Sequence, residues 1–148
     1  MSCGARLAQA MREKGFRVTA QRAIILETIA HMQGHINMHE VFERARERLP
    51  GLHLATVYRT VESLHEAEMV DILSASGQPM RFAIRDVDDP HVHIVCRKCG
   101  AVSALDADLI RDLSGEIRSR TGYRLDERYL TMEGLCPACA RKANGAKD

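Results

Sequence analysis

Four cysteines arranged as two C-x-x-C pairs, Cys96-Arg-Lys-Cys99 and Cys136-Pro-Ala-Cys139, restrict this chain more than any other feature. A tetrahedral zinc ion favours four thiolates, and a C-x-x-C on a tight knuckle puts two sulfurs on one side of the metal. Gly100 after the first pair and Pro137 within the second both suit such turns. Strands and a helix are expected between the pairs, so one ion would tie the end of a domain back to its start. Four protein sulfurs leave no position for a substrate, which makes the role structural. The competing chemistry is a thioredoxin-type dithiol, but that is one pair placed after a strand, not two. Cys3 lies outside both pairs and reads as a free thiol without a role.

Zinc thiolates need a reducing compartment, and nothing in the chain argues against one. The N-terminus lacks the apolar run of a secretory signal, and no segment reaches the length of a membrane span. The expected location is the cytoplasm, with no membrane partner. At 148 residues the chain holds one ordinary domain or two small ones. With no Trp and only three Phe, its core must rest on Leu, Ile, Val and Met.

The spacing of apolar residues predicts a short helix over Arg6–Phe16, closed by Gly15, and a strong one from Ala20 to about Met32, capped by Thr19. A further helix is expected over Met38–Arg48, stopped by Pro50-Gly51. The next, near Ala55 to Ala67, buries Val57, Val61 and Leu64 as one stripe. Val70–Leu73 and Met80–Ile84 read as strands joined by the turn from Ser74 to Pro79. Three helices followed by a hairpin make a winged helix-turn-helix. Beyond Arg85–Pro90, an acidic and turn-prone hinge, strands are expected over His91–Cys96 and Ala101–Leu105. An amphipathic helix built on Leu109, Ile110, Leu113 and Ile117 follows, then one or two strands in Tyr123–Met132 and a polar tail after Cys139. The fold class is α+β: an N-terminal winged-helix domain over 1–84, a hinge over 85–90, and a C-terminal α/β domain over 91–148.

A formal net charge of +1 does not mark a strongly basic binder. Its distribution is more informative: Arg6, Arg12, Lys14, Arg17 and Arg22 stand against Glu13 alone in the first 22 residues. Such a patch suits either a solvated helix face or phosphate contacts. Major-groove reading needs a helix with a fixed core face and donors outside. On the helix from Ala55, the outer face offers Thr56, Tyr58 and Arg59, while Arg17 and Arg22 flank an earlier helix start where they could clamp the DNA backbone.

Arg17-Val-Thr-Ala-Gln-Arg22 with Ile24-Ile-Leu26, Ala55-Thr-Val-Tyr-Arg59, His91-Val-His-Ile-Val-Cys-Arg-Lys-Cys-Gly100 and Gly134-Leu-Cys-Pro-Ala-Cys139 together resemble the signature segments of the ferric uptake regulator family. The resemblance runs from about Leu7 to Lys142. It implies a homodimer that binds palindromic double-stranded operator DNA as a repressor. It also implies that Arg17, Arg22, Tyr58 and Arg59 face DNA and that Cys96, Cys99, Cys136 and Cys139 hold structural zinc.

The same resemblance implies a second, regulatory ion bound by histidines and carboxylates. His35, His91 and His93 occupy the histidine positions, and alternation along a strand puts His91 and His93 on one face with Cys96 on the other. The usual carboxylate positions carry Ala83 and Ala104 instead. Asp86 and Asp71 are the candidate replacements, with His39 and Asp106 behind them. Such a set accepts Fe²⁺, Zn²⁺, Mn²⁺ or Ni²⁺, so ligand type does not select the corepressor. A peroxide-sensing relative is the alternative within the family. From other classes, a zinc-dependent thiol oxidoreductase or hydrolase would need an open zinc position or a reactive thiolate, and neither H-E-x-x-H nor G-x-S-x-G occurs. A zinc-stabilised module that binds only protein is the third reading. The expectation is therefore not an enzyme.

Overall fold

A computed structural model describes residues 1–85 and 91–145. The expected hinge, apart from Arg85, and the candidate ligand Asp86 lie outside the described residues. Two compact units emerge: one comprises 1–71 with 81–85, the other 72–80 with the described residues from 91 onward.

In the first unit, helix α1 spans Cys3–Glu13 and starts earlier than its apolar spacing suggests, because the Ser2 hydroxyl caps the Ala5 N–H at 3.1 Å. Its buried face is Gly4, Ala8 and Met11. Helix α2, Ala20–Ala30, begins as predicted at Thr19, whose side chain accepts the Arg22 N–H at 3.3 Å. A two-residue strand, β1 (Ile36–Asn37), leads directly into α3 (Met38–Arg46), and Asn37 caps it by accepting the His39 N–H at 2.8 Å. Helix α4, Leu54–Glu66, buries Val57, Val61 and Leu64 as its periodicity required, and adds Thr60. The Thr60 hydroxyl is satisfied within the helix by donating to the Thr56 carbonyl at 2.8 Å.

Ile25, Leu26 and Ile29 of α2, Val41 and Ala45 of α3, and the α4 stripe are all almost fully excluded from solvent. Each large side chain contributes about 1.5–3 kcal/mol on burial. Strand β2 is Val70–Leu73 and β3 is Arg81–Ile84; β3 lies centrally in the order β1-β3-β2. Phe82 on β3 opposes Ile36 on β1, and both are buried. The turn between β2 and β3 groups with the second unit, for reasons set out below.

The second unit is built on β4 (Val92–Cys96), which lies between β5 (Val102–Leu105, antiparallel) and β6 (Thr131–Gly134, parallel). Helix α5, Ala107–Thr121, is capped by Asp106 and ended by Gly122 at φ +78°, a left-handed cap that suits glycine. Of its expected apolar stripe only Ile110 is buried; Leu109 is 57% exposed. The segment read as one or two strands over Tyr123–Met132 instead forms a 3₁₀ turn, Glu127–Tyr129, before β6. Asp126 causes the difference, since its carboxylate accepts the Arg128 N–H at 3.2 Å. The expected polar tail is helix α6, Pro137–Gly145, with Cys139 on its buried side. No described helix is long and apolar enough to cross a membrane.

Helices α1 and α2 meet most closely at Gly4, where a Cβ would stand 2.4 Å from Glu27 Cα. The carboxylate of Glu27 also accepts the Ser2 hydroxyl at 2.8 Å, so the neighbour is pinned. Gly4→Ala should therefore lower stability by about 1–3 kcal/mol, the usual cost of overpacking. Chemical denaturation checks this, and an unchanged midpoint would show that α1 can shift freely.

Candidate metal centre and DNA-reading face

The four cysteine sulfurs lie within 4.8 Å of one another, and they are the one group of three or more potential ligands that converges among the described residues. Sheet and helix placement brings this about. β4 ends at Cys96, and Gly100 at φ +77° turns the chain so that its N–H reaches back to the Cys96 carbonyl at 2.9 Å. The parallel register places Gly134 of β6 beside Cys96, and the Arg97 N–H donates to the Gly134 carbonyl at 3.0 Å. Cys136 then leads into α6, which returns Cys139 one turn later.

A metal fit can be tested on the sulfur separations. Cys99 Sγ and Cys136 Sγ are 3.7 Å apart. Zinc–sulfur bonds of about 2.3 Å in a tetrahedron put sulfurs about 3.8 Å apart, whereas a disulfide needs about 2.05 Å. The separation matches shared coordination. The thiols are also unequal. Backbone N–H groups of Cys136 and Cys99 lower the Cys96 pKa to about 6, and the Cys139 N–H lowers that of Cys136. Cys139 is pushed up to about 12 by its side-chain hydrogen bond with Cys136 and by burial. Four adjacent sulfurs thus cannot all ionise unaided; a divalent cation makes that state stable.

His91 and His93 do come together. Their Nε2 atoms are 3.0 Å apart and their rings meet edge to face with centroids at 4.5 Å. His93 is buried and His91 half-buried. Two imidazole nitrogens converging on one point suit shared ligation of an ion. His35 belongs to the first unit, preceding β1, and its pKa is lowered by partial burial and by the nearby Arg81 charge. Both effects favour the neutral, ligating form. Asp71 is engaged elsewhere: its Oδ1 accepts Arg85 Nε at 2.9 Å and Nη2 at 2.7 Å, in an ion pair largely withdrawn from water. Ala83 and Ala104, on β3 and β5, supply no donor. His39 is exposed on α3, and Asp106 caps α5 through the Asp108 N–H at 2.9 Å.

The expected DNA-reading residues sit at two helix starts. Arg59 is exposed on α4, while Thr56 and Tyr58 are half-buried. His53, at the N-cap position, makes no side-chain cap, and its carbonyl accepts the Thr56 N–H at 3.0 Å. Arg17 is exposed, and its carbonyl accepts Arg22 Nη1 at 2.9 Å, which orients that guanidinium. Sequence reasoning missed three further polar groups, Ser76, Gln78 and Glu133. They are ordinary surface residues until the fold joins them.

A winged-helix head with donors along α4, joined in one chain to a sulfur-knuckled α/β unit, defines a metal-dependent DNA-binding regulator. The ferric uptake regulator family model matches residues 13–133, and the chain belongs to that family. The chain is 32% identical over 133 residues to the transcriptional regulator FurA of Mycobacterium tuberculosis, covering 90% of this chain and 89% of that one. It is 29% identical over 140 residues to the ferric uptake regulation protein of Bacillus subtilis, covering 93% and 94% respectively. The solved ferric uptake regulator of Vibrio cholerae superposes with a TM-score of 0.60 at 28% identity, covering 86% of this chain and 98% of that one.

Cys99→Ser should cost the protein its zinc and lower its melting temperature by about 10 °C or more, since metal binding here is folding free energy. Metal analysis and thermal denaturation check both. The pH dependence has a definite sign. Protons already compete for Cys139 at neutral pH, and as pH falls through about 6 they compete for Cys96 as well. Zinc should be retained at pH 7.5 and released below about 6, measured with a chromogenic chelator. Full retention at pH 4.5 would show that other ligands hold it.

Proposed function

We propose that the chain is a homodimeric, metal-responsive repressor of transcription, with zinc held by Cys96, Cys99, Cys136 and Cys139 and a second divalent ion acting as corepressor. The convergence of four sulfurs within 4.8 Å is the observation that supports this reading most strongly, because it supplies the ion on which the second unit's shape rests. The regulatory ion is assigned to His91 and His93, whose ring nitrogens face each other, with His35 as the contribution of the first unit. Asp86 is the candidate carboxylate. Asp71 would have to leave Arg85 to serve, which ranks it behind Asp86.

DNA reading is assigned to Thr56, Tyr58 and Arg59 on α4, with Arg17 and Arg22 on the phosphates. The Arg17 carbonyl gives Arg22 a reason to be arginine beyond its charge, because a guanidinium can donate to that carbonyl and still present other N–H groups. The homodimer is supported by α5, whose Leu109 is 57% exposed although it belongs to an apolar stripe.

Gel shifts on a palindromic fragment from the chain's own promoter region, with and without chelator and with each of Fe²⁺, Zn²⁺ and Mn²⁺ restored, test the proposal. A shift that requires one of these ions is expected. Arg59→Ala should weaken it by about 10- to 100-fold if that guanidinium reads a base edge. A shift indifferent to metal, or to Arg59, would overturn the assignment.

A further inference from the structure

The turn between β2 and β3 is held by the second unit through its own hydrogen-bond donors. Backbone N–H of Gln78 closes the turn on the Ala75 carbonyl at 3.1 Å, and Gly77 takes φ +77°. That geometry presents the Ser76 N–H and hydroxyl on one side. Both donate to the Glu133 carboxylate of β6: the N–H to Oε2 at 2.9 Å, the hydroxyl to Oε1 at 3.1 Å and Oε2 at 3.2 Å. The Gln78 amide donates to the carbonyls of Arg97 and Lys98, inside the first cysteine knuckle, at 3.1 Å and 3.2 Å. Nearer the strand, the Thr131 hydroxyl donates to the Ile72 carbonyl.

A backbone N–H and a hydroxyl converging on two oxygens form an anion site, and phosphate takes such donors as carboxylate does. We propose that the Ser76–Gln78 turn is a binding site for DNA backbone phosphate that Glu133 occupies in the free protein, so that Glu133 is an internal competitor with DNA. The inference rests on the DNA-binding reading above and extends it to residues outside α4. Three observations carry it. All three turn donors are engaged, and each acceptor lies in the second unit. The anion that Ser76 holds is a side chain on an exposed strand position, which water and phosphate can displace. The site that holds Gln78 is the knuckle itself, so the turn is read by backbone that the cysteine cluster shapes.

The test uses the full-length, zinc-loaded dimer and a fluorescein-labelled 40-base-pair duplex of random sequence, read by anisotropy. Random sequence is the right probe because phosphate contact carries no sequence information. Glu133→Ala should bind about three- to tenfold more tightly than the parent chain, the range set by removing a charge-assisted competitor. Glu127→Ala removes an equally exposed acid of the same unit and should leave affinity unchanged, which separates occupancy of the turn from net charge. In the Glu133→Ala background, Ser76→Ala removes the hydroxyl but keeps the N–H, and should reduce the gain. Zinc content and melting temperature confirm that each variant is folded. Equal affinity of Glu133→Ala and the parent, or a gain undiminished by Ser76→Ala, overturns the inference while leaving DNA binding intact. No binding by any variant with any ion would overturn both.

Discussion

Negative charge crowded at one point governs the second unit. Four sulfurs within 4.8 Å cannot all shed protons in the absence of a cation, and the opposed shifts of Cys96, to about 6, and Cys139, to about 12, record that conflict. Cation binding removes the conflict and joins the start of the unit to its last helix. Much else follows from that junction. The knuckle carbonyls of Arg97 and Lys98 face Gln78, β6 is held parallel to β4, and α6 has a fixed beginning.

The first unit has no such staple and relies on burial. Its core is aliphatic, with Phe82 brought in by β3 to close it. Polar groups are placed where helices begin: Ser2, Thr19 and Asn37 each cap an N–H. His53 is the exception: it stands at the start of α4 without a side-chain cap, and only its carbonyl accepts the Thr56 N–H there. The ion pair between Asp71 and Arg85 secures the base of the hairpin on the last described residue before the hinge.

Much of this was legible in the sequence, and the failures have physical causes. Helical spacing at Val57, Val61 and Leu64 and the cap at Thr19 are local signals, and both helices appear where they point. The cysteine pairs were legible because metal geometry fixes ligand type and spacing together. β1 was not, since two residues carry no periodicity and Ile36 becomes a strand only by pairing with Phe82. α6 reads as a polar tail because its helix formers are Ala, Lys and Arg without an apolar stripe, yet Pro137 at its first turn was available as a start signal. Tyr123–Met132 misled because strand-forming side chains lost to the Asp126 turn. Asp71 looked like a free carboxylate until the antiparallel hairpin brought Arg85 opposite. The link between Ser76 and Glu133 spans 57 positions of ordinary surface residues, and no local pattern announces it.

Helix α5 carries a wider implication. Fifteen residues long, it buries only Ile110 against its own chain and leaves Leu109 mostly in water. If this apolar face pairs with a second copy, as proposed above, the free energy of folding is shared between molecules. The abundance of the regulator then becomes a variable in its own right. On dilution the pairing equilibrium shifts toward single chains, and the supply of paired heads falls with the square of the protomer concentration, whatever ions are present.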